Sequence, residues 1–548
     1  MEEYLMYKSW CVLLRIQALF IASLFAFISL SSWAAQPINS FSDVESLLSQ
    51  RNFNEKARAV NWLAETKYPD TKQILNYLLA GDIYYHKKQK QLYLIADYAD
   101  QQPAILLSDN KKEIIINKKR DYKKVALNNQ LRSAIRHGIA QLDITSDDSQ
   151  VRNQAIKSML GNTDTNIQTL LTDAYSVESD ESNKSKLALA IAIGTLNSGN
   201  KAEKLAAIDM IGDSIEPAAF RALSNAVSVT EDADIIRVAE RGIGSYQQSQ
   251  RVYSTVETLY FGLSLGSVLV LAGIGLAITF GVMGVINMAH GELIMLGAYT
   301  TYVMQQLMPN HIGLSLILSI PAAFFVAGLV GVAIERGVIR FLYGRPLETL
   351  LATFGISLIL QQAVRSVFSP LNRSVATPDW MSGMLEINPM LSLTYNRLYI
   401  IFFCFFVFAA LVFVLKKTPL GLQVRAVSQN RSMARSMGVR SEWVDAMTFG
   451  LGSGVAGVAG VALSQLTNVG PNMGQSYIID SFMVVVFGGV GNLWGTLVAG
   501  LSLGLFNKIL EPWAGAVLAK ILVLVFIILF IQKRPRGLFP QRGRAVEG

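Results

Sequence analysis

The stretch TLYFGLSLGSVLVLAGIGLAITFGVMGVINMAHGELIMLGAY, from Thr258 to Tyr299, decides the fold class of this chain. Residues 258–280 carry no charged side chain, and a run of this length can cross the hydrocarbon layer of a membrane. Asn287, His290 and Glu292 follow closely, with glycines on both sides. The stretch therefore predicts a membrane-embedded protein and raises the question of what these polar groups do there.

The composition divides the chain of 548 residues into two unlike halves. Overall, 51% of the residues are hydrophobic and 16% are charged, which is typical neither of a disordered chain nor of an ordinary soluble enzyme. Lys, Asp, Gln and Asn are frequent before about residue 251, whereas 260–531 is a series of apolar runs. We predict a soluble domain at 35–250, a transmembrane domain at 255–535 and a cytoplasmic basic tail at 536–548.

Residues 1–34 have the pattern of a secretory signal peptide. Positive charge at Lys8 and Arg15 precedes an apolar run at 16–30, and the small-residue motif Ser-Trp-Ala follows at 32–34. An uncleaved membrane anchor is the alternative. If the segment is cleaved, the soluble domain is expected to lie outside the cytoplasm, in the periplasm.

The exported domain has a mostly helical pattern. Its middle part, LYLIADYADQQPAILLSDNKKEIIIN at 92–117, instead predicts a few short strands, with Pro103 and Asp109-Asn110 at turns. Later segments predict short helices rich in small residues, which is compatible with stacked helical pairs of the HEAT type. An unrepeated helical domain is the alternative. The glycines expected to end these helices are Gly161, Gly194 and Gly212.

The second half predicts nine apolar spans, of which the seventh and eighth are short enough to form one broken or re-entrant element instead. The expected spans are 258–280, 282–307, 312–335, 347–368, 396–415, 445–467, 478–491, 493–509 and 514–532. With the first span entering from outside, all three basic segments lie in the cytoplasm, as the positive-inside rule requires. The expected fold class is an all-α polytopic membrane protein of about eight or nine transmembrane helices, preceded by the exported, mostly helical domain.

No segment of the chain predicts catalysis. The dipeptide Gly-Lys, which ends a phosphate-binding loop, does not occur, and neither does the zinc motif HExxH. The four histidines are scattered, and no Cys/His cluster has the spacing of a metal site. We therefore expect no catalytic residue, metal or cofactor on this chain, and any ATP hydrolysis that drives it belongs to another chain.

Four segments resemble, in chain order, the permease family of branched-chain amino acid ABC transporters. They are GVINMAHGELIMLGAY, RAVSQNRSMARSMGVRSEWVDAMTFGLGSGVAGVAG, VVVFGGVGNLWGTLVAG and KRPRGLFP. Within this family, the long exported region with LLAGDIYYHKKQKQLYLIADYAD and NNQLRSAIR resembles the permease subunits of urea ABC transporters. The amino acid permeases generally begin almost directly at the first span.

The resemblance implies a subunit of a bacterial inner-membrane importer that forms the translocation path for urea. Its partners would be a second permease subunit, two ATP-binding cassette subunits and a periplasmic urea-binding protein. No nucleic acid partner is expected, because much of the net charge of +8 borders the apolar spans. The alternatives are a branched-chain amino acid permease and, from a different class, a membrane sensor or scaffold whose exported domain binds a ligand.

The resemblance also implies that the loop at 416–444 couples this chain to an ATPase. In such importers a cytoplasmic helix of the permease docks into the ATPase, and its signature includes Ala-x-x-x-Gly after a Glu-Ala pair. Ala434 and Gly438 keep that spacing, whereas Ser432-Met433 replaces Glu-Ala. Arg425 belongs to the basic helix that precedes them.

Nine polar residues in or near the spans are candidates for the translocation path. They are Asn287, His290, Glu292, Gln361, Gln362, Asn468, Asn472, Asp480 and Asn492. Urea donates from two amino groups and accepts at one carbonyl, so amides, hydroxyls and a carboxylate suit it. Three of them also have a structural interpretation: Asn287 forms an interhelical hydrogen bond or caps a helix break, His290 is locked by hydrogen bonds, and Glu292 fixes its helix. A charge such as Glu292 costs about 2.5–3.5 kcal/mol at a membrane helix centre.

Two sets of glycines are expected to differ in role. Gly450, Gly454, Gly457 and Gly460 predict close packing of membrane helices. Gly488, Gly489 and Gly491 predict a broken helix that exposes its backbone to the path or to a partner, with a plain turn as the alternative.

Overall fold

The computed structural model describes residues 37–66, 68–95, 98–99, 101–108, 113–116 and 118–539. The chain divides into two compact units, Met1–Ser214 with Ala218–Ile243 and Ile215–Pro217 with Gly244–Gly548. The predicted signal peptide, and the basic tail apart from 536–539, lie outside the described residues.

The first unit begins with three helices that pack on a small antiparallel sheet. The helices are α1 (Phe41–Leu48), α2 (Phe53–Thr66) and α3 (Thr71–Ala80). The strands are β1 (Ile83–His86), β2 (Leu92–Leu94), β3 (Pro103–Leu106), β4 (Glu113–Ile115) and β5 (Tyr122–Lys124), in the spatial order β4-β3-β2-β1-β5. Val44, Leu63, Leu75 and Ile83 are fully buried in the core beneath the helices.

The prediction of strands in this region is confirmed, but the expected turn at Pro103 is wrong. Pro103 is the first residue of β3 and pairs with Ile115 of β4. Proline lacks a backbone N–H, and the first position of a strand is one of the few places where a sheet tolerates that loss. The second expected turn, at Asp109-Asn110, lies outside the described residues.

Six further helices complete the first unit before the long helix that begins at Ala233. They are α4 (Asn129–Asp143), α5 (Ser149–Met159), α6 (Thr165–Val177), α7 (Glu181–Ser198), α8 (Lys201–Ile211) and α9 (Pro217–Val229). Asp148, Asp164 and Asp180 each cap the helix that follows, since their carboxylates accept a backbone N–H of its first turn. Helices α4 to α8 pack on near neighbours in sequence. The HEAT-type arrangement stays a prediction.

Two of the three expected glycine stops are confirmed. Gly161 follows α5 with a positive φ of 87°, and Gly212 is the residue after α8. Gly194 was expected to end a helix, and this prediction is wrong because α7 continues to Ser198. A single glycine inside a helix is tolerated at a cost of about 1 kcal/mol relative to alanine.

The second unit consists mainly of helices, and residues 233–243 of the first of them still belong to the first unit. They are α10 (Ala233–Met283), α11 (His290–Leu307), α12 (Ile312–Gly337), α13 (Pro346–Phe368), α14 (Tyr395–Lys417), α15 (Pro419–Gln429), α16 (Arg431–Ser436), α17 (Ser441–Ser464), α18 (Met473–Gly488) and α19 (Leu493–Lys533). A hairpin of β6 (Met384–Asn388) and β7 (Leu391–Thr394) precedes α14. Among the described residues, the helices long and apolar enough to cross a membrane are α10, α12, α13, α14, α17 and α19, six in all.

The nine expected spans lie on eight helices, and the fold class of an all-α polytopic membrane protein is confirmed. The last two spans share α19, where Gly515 leaves the helical conformation with a φ of 76°. The second span was expected to begin at 282, but α10 ends at Met283 and α11 begins only at His290. Helix α18 has 16 residues, which is short for a complete crossing.

The small residues of α17 are packing positions, as their spacing predicted. A Cβ atom at Gly460 would overlap the carbonyl oxygen of Ile294 on α11, and one at Gly457 would overlap that of Ala323 on α12. Ala456 and Ala459 are fully buried between them. Helix α17 is therefore the central helix of this unit, since its neighbours approach it backbone to backbone.

Candidate functional site

The site begins where the chain leaves the helical conformation between α10 and α11. Gly284 has a positive φ of 67°, and the segment 284–289 then leads to His290. The hydroxyl of Thr353, on α13, accepts the Met288 N–H at 3.2 Å and shares its own proton between the Leu350 carbonyl at 3.0 Å and the Ile286 carbonyl at 3.5 Å. Side-chain groups thus satisfy backbone atoms that lipid could not hydrogen-bond.

Asn287 and His290 fix the start of α11. The Asn287 Oδ1 atom accepts the Ala289 N–H at 3.0 Å, so this side chain closes the turn before the helix. The His290 ring is fully buried, and its Nε2 atom lies 2.9 Å from the Ala272 carbonyl of α10, to which it donates. These contacts agree with structural roles for both side chains, Asn287 as a cap and His290 as a histidine held by a hydrogen bond. A role of either residue in the translocation path stays a prediction.

Glu292 is the buried carboxylate of this region, and its two oxygens have different surroundings. Oε1 accepts the Gln361 Nε2 amide at 2.7 Å and the Ser357 hydroxyl at 3.1 Å, both from α13. Oε2 is also buried, and within the described chain it has no hydrogen-bond partner. One oxygen therefore holds the carboxylate in position while the other keeps its capacity to accept hydrogen bonds.

Two helix beginnings meet at this second oxygen. A Cβ atom at Gly474, the second residue of α18, would lie 2.6 Å from Glu292 Oε2. A Cβ atom at Gly291, the second residue of α11, would overlap the carbonyl oxygen of Gly474. The first turns of α11 and α18 therefore touch backbone to backbone beside the carboxylate. The partial positive charge of a helix N-terminus favours a negative group in such a place.

Arg365 supplies the cation of the site. Its Nη2 atom donates to Asn472 Oδ1 at 2.7 Å, just before α18 begins. Helix α13 is thus bonded to Glu292 of α11 through Ser357 and Gln361, and to Asn472, just before α18, through Arg365.

The residues of α13 in this region form a stripe at intervals of four. Thr353, Ser357, Gln361 and Arg365 have the spacing that puts side chains on one face of a helix, and the first three are buried. The sequence prediction included Gln361 but missed Thr353 and Ser357. The repeated interval of four polar residues within an apolar helix was the signal that could have identified them.

Within the described chain, the other predicted path residues make no hydrogen bond to Glu292. Gln362 and Asn468 are exposed. Asp480 is buried and pairs with Lys520 of α19 at 3.1 Å. Asn492 caps α19, because its Oδ1 accepts the Trp494 and Gly495 N–H groups. Their assignment to the path stays a prediction.

The described residues include no group of three His, Cys, Asp or Glu side chains that could hold a metal ion. The polar groups that the structure describes around Glu292 are hydroxyls, amides and, one turn further along α13, a guanidinium.

The loop expected to couple to an ATPase forms the helices α15 and α16. Ala434 is buried against Val424, Val427 and Val444, so it fixes α16 to the membrane helices. Gly438 turns the chain with a φ of 86° and is exposed. Arg425 donates to the Leu415 carbonyl at the end of α14.

An ion pair anchors the same loop. Arg431, the first residue of α16, pairs with the buried Asp445 of α17, and its guanidinium lies 3.9 Å from the centre of the Tyr343 ring. Met433 and Met437 remain 62% and 79% exposed. The loop is thus fixed on its inner side and presents methionines on its outer side.

The predicted break at Gly488, Gly489 and Gly491 is present, and the chain's own C-terminal segment covers it. Helix α18 ends at Gly488, and the carbonyls of Phe487 and Gly488 accept the N–H groups of Leu538 and Phe539 at 2.9 and 3.2 Å. Gly489 and Gly491 have positive φ values of 101° and 80°. Part of the exposed backbone is thus used within the chain, and contact of this segment with the path or a partner stays a prediction.

Comparison with known proteins gives a consistent picture of the second half. The family described as "Branched-chain amino acid transport system / permease component" matches residues 258–531. The high-affinity branched-chain amino acid transport system permease protein BraD of Pseudomonas aeruginosa is 28% identical over 296 residues, which are 52% of this chain and 96% of that protein. No solved structure gives a significant match.

Two further relatives extend the comparison. The permease protein LivH of Escherichia coli K12, of the same transport system, is 29% identical over 301 residues, 53% of this chain and 97% of that protein. The ribose import permease protein RbsC of Bacillus subtilis is 32% identical over 108 residues, 18% of this chain and 34% of that protein. The two amino acid permeases are therefore matched over nearly their whole length by about half of this chain.

Proposed function

The chain belongs to the permease family of branched-chain amino acid transport systems, and we propose that it forms the translocation path of an ATP-driven importer for urea. It is a multi-pass membrane permease and not an enzyme, as its relatives are transport permease subunits. The proposal concerns the substrate, the path and the partners.

The main support for the proposal is the carboxylate of Glu292, which has hydrogen-bond partners at only one of its two oxygens. Its Oε1 is held by Ser357 and Gln361, and its Oε2 accepts from no group of the described chain. Urea has four N–H donors and one carbonyl acceptor on a small planar frame. In a conformation that opens this buried atom to the path, an amino group of urea would satisfy Oε2, and the Arg365 guanidinium would offer donors for the carbonyl.

The first unit supports urea over an amino acid. The two amino acid permeases consist almost entirely of the part that they share with this chain, whereas this chain carries an additional unit of helices and a five-stranded sheet. Its sequence resembles that of urea permease subunits. We propose that the additional unit lies in the periplasm.

Import of a branched-chain amino acid is the second candidate, and the names of the relatives favour it. Glu292 and Arg365, which lie on α11 and α13, offer the anion and the cation that an amino acid zwitterion needs. Such a substrate also requires an apolar pocket for its side chain next to these charges. The described contacts around Glu292 are hydroxyl, amide and glycine backbone, which suit a small polar molecule better.

The proposed assembly contains this chain, a second permease subunit, two ATP-binding cassette subunits and a periplasmic urea-binding protein in a bacterial inner membrane. ATP-driven closure of the ATPases would move α15 and α16, and Arg431 would pass this motion to α17 through Asp445. Because α17 packs on α11, the motion reaches the helix that carries Glu292. The C-terminus of the chain would lie in the cytoplasm.

Uptake of labelled urea and of labelled leucine, in cells with and without this chain, tests the proposal. Loss of urea uptake with leucine uptake intact is the expected result. Loss of leucine uptake with urea uptake intact would overturn the urea assignment in favour of the amino acid candidate. Retention of both would mean that the chain transports neither.

A further inference from the structure

A groove of about 330 Å³ lies at the end of the helices that the basic loop joins, away from Glu292. It is formed by α10, α14, α15 and the segment that opens α19. Its walls are mostly apolar, and its lining includes Ile278, Val282, Val412, Leu415, Leu493 and Trp494.

The charged side chains that line the groove are all basic. Lys416 and Arg425 contribute two cations, Ser428 a hydroxyl and Asn492 an amide. None of the described residues that line the groove is acidic. Arg425 gives one of its donors to the Leu415 carbonyl, and a guanidinium carries five. The groove therefore offers an excess of positive charge and of hydrogen-bond donors to an occupant.

The polar and apolar parts are separated along the helices. Lys416 is the penultimate residue of α14, and Val412 lies one turn earlier on the same helix. Ile278 lies five residues before the end of α10, about 8 Å from it at 1.5 Å per residue. The cations thus lie near the helix ends, and the apolar lining extends from there at least one turn further along α10 and α14.

An exposed indole lines the groove as well. Trp494 is 53% exposed, and its ring packs edge-on against Phe408 at 5.0 Å between centres. Tryptophan is enriched where a membrane helix meets the headgroup layer, because its ring is apolar and its N–H is polar. The groove is thus suited to the boundary between lipid tails and headgroups.

We propose that this groove binds one anionic phospholipid, with its phosphate on Lys416 and Arg425 and the first part of an acyl chain along Ile278, Val412 and Leu493. Basic pockets between membrane helices recognise acidic headgroups in this way. A free phosphate ion would use the cations but leave the apolar wall bare. Urea is neutral and has no apolar part, so the groove is not a second substrate site.

A lipid bound in this groove is expected to affect coupling to the ATPase, because the groove adjoins the coupling loop. This step rests on the proposed function. Arg425 and Ser428 belong to α15, which leads directly into α16 of the coupling loop. A phospholipid bound there links that loop to α10 and α14. ATP-driven transport is then expected to require anionic lipid, whereas lipid binding itself does not depend on the substrate.

The binding step is tested on the full chain, purified in detergent and analysed by native mass spectrometry with added phosphatidylglycerol or phosphatidylethanolamine. The wild-type chain should retain one tightly bound phosphatidylglycerol and at least tenfold less phosphatidylethanolamine. Replacement of both Lys416→Ala and Arg425→Ala should remove this preference. Lys417→Ala is the matched control, since Lys417 is the exposed next residue and does not line the groove.

A second pair of variants keeps both cations. Ser428→Glu places a carboxylate in the groove and should weaken phosphatidylglycerol binding at least tenfold, whereas Gln429→Glu adds the same charge outside the lining and should not. Equal retention of phosphatidylglycerol by Ser428→Glu and Gln429→Glu would overturn the proposal. Displacement of the lipid by millimolar inorganic phosphate would do the same, because it would assign the site to a soluble anion.

Discussion

Among single residues, Glu292 is the one on which the proposed transport depends most. Glu292 lies in the second unit, and its side chain is only 1% exposed. Burial of a carboxylate in a membrane protein costs free energy, which hydrogen-bond donors or a positive charge must offset. Ser357 and Gln361 offset part of it at Oε1, and the substrate is proposed to complete the set at Oε2. Transport should therefore depend on this carboxylate more than protein stability does.

Glu292→Gln tests this dependence. The amide keeps the size of the side chain but loses the charge and one acceptor, so we expect kcat/KM for urea uptake to fall at least tenfold, about 1.4 kcal/mol. The amount of protein in the membrane should stay near that of the wild type. Glu348→Gln is the control, because Glu348 lies on α13 in an exposed pair with Arg345. Uptake by Glu292→Gln at the wild-type rate would show that this carboxylate only holds its helix.

The sequence identified Glu292, His290 and Asn287 because polar groups in an apolar run are conspicuous. It did not separate their roles, because these depend on neighbouring atoms that the sequence does not show. Asn287 caps a turn, His290 bonds to α10, and Glu292 keeps one oxygen without a partner in the described chain. Thr353 and Ser357 were missed since hydroxyl residues occur in many membrane helices without a function. Their contacts come from α11 and from the segment before it, which are more than 60 residues away in sequence.

At the scale of the elements, close backbone contact determines how the membrane helices pack. The glycines of α17 admit α11 and α12, and those of α11 and α18 meet beside Glu292. The sequence predicted the first contact from the interval of small residues. It could not predict the second, because Gly291 and Gly474 come together only through the fold. For the same reason the exact bounds of α11 and α19 differed from the hydrophobic pattern.

Gly460→Leu tests the packing of α17. A Cβ atom there would overlap the Ile294 carbonyl, and backbone cannot yield as a flexible side chain does, so we expect most of the folded protein to be lost. The control is Gly355→Leu on α13, where no atom lies within 4 Å of a new Cβ atom. Size-exclusion profiles of the two variants in detergent give the comparison. A normal profile for Gly460→Leu would contradict the described packing.

Gly438→Trp tests the coupling loop. The residue has a φ of 86° and open space around its Cα, so a large side chain would project from the exposed face of the loop. Co-purification with the ATPase should be lost while the chain still inserts into the membrane. Gly383→Trp controls for backbone strain, since Gly383 has a φ of 97° and lies in the loop before β6. Co-purification that survives in Gly438→Trp would argue against docking here.

The ion pair of Arg152 and Glu178 in the first unit predicts a pH dependence. The guanidinium makes two hydrogen bonds of 2.8 Å to the carboxylate and holds the pKa of Glu178 at about 2, below its ordinary 4.5. The ionised form is favoured in the folded unit, so the pair stabilises it above pH 4.5. This contribution is lost as the pH falls from 4.5 through about 2.

Arg152→Met should therefore lower the thermal stability of the first unit by several degrees at pH 7. The difference from the wild type should shrink below pH 4.5 and vanish near pH 2. Arg237→Met removes an exposed pair with Asp234 and should change little at any pH. Proteolysis of the full chain during heating measures this unit, and a difference that does not change with pH would show that the charge of Glu178 is irrelevant.

At the scale of the whole molecule, the sequence predicted two halves of different character. Charge and polarity identified the first, and hydropathy identified the second, because burial in lipid and burial in a protein core leave different compositions. The five-stranded sheet was predicted only as a few strands, since its order β4-β3-β2-β1-β5 depends on contacts that no local pattern contains. The substrate is the least predictable feature, because the relatives that match the second half are named for branched-chain amino acids and for ribose.

The most direct measurement uses the purified assembly, reconstituted in liposomes with its ATPase and permease partners and the binding protein. Labelled urea and labelled leucine are supplied separately, with and without ATP. We predict ATP-dependent movement of urea that excess leucine does not inhibit and that Glu292→Gln reduces at least tenfold. ATP-dependent movement of leucine without movement of urea would contradict the account.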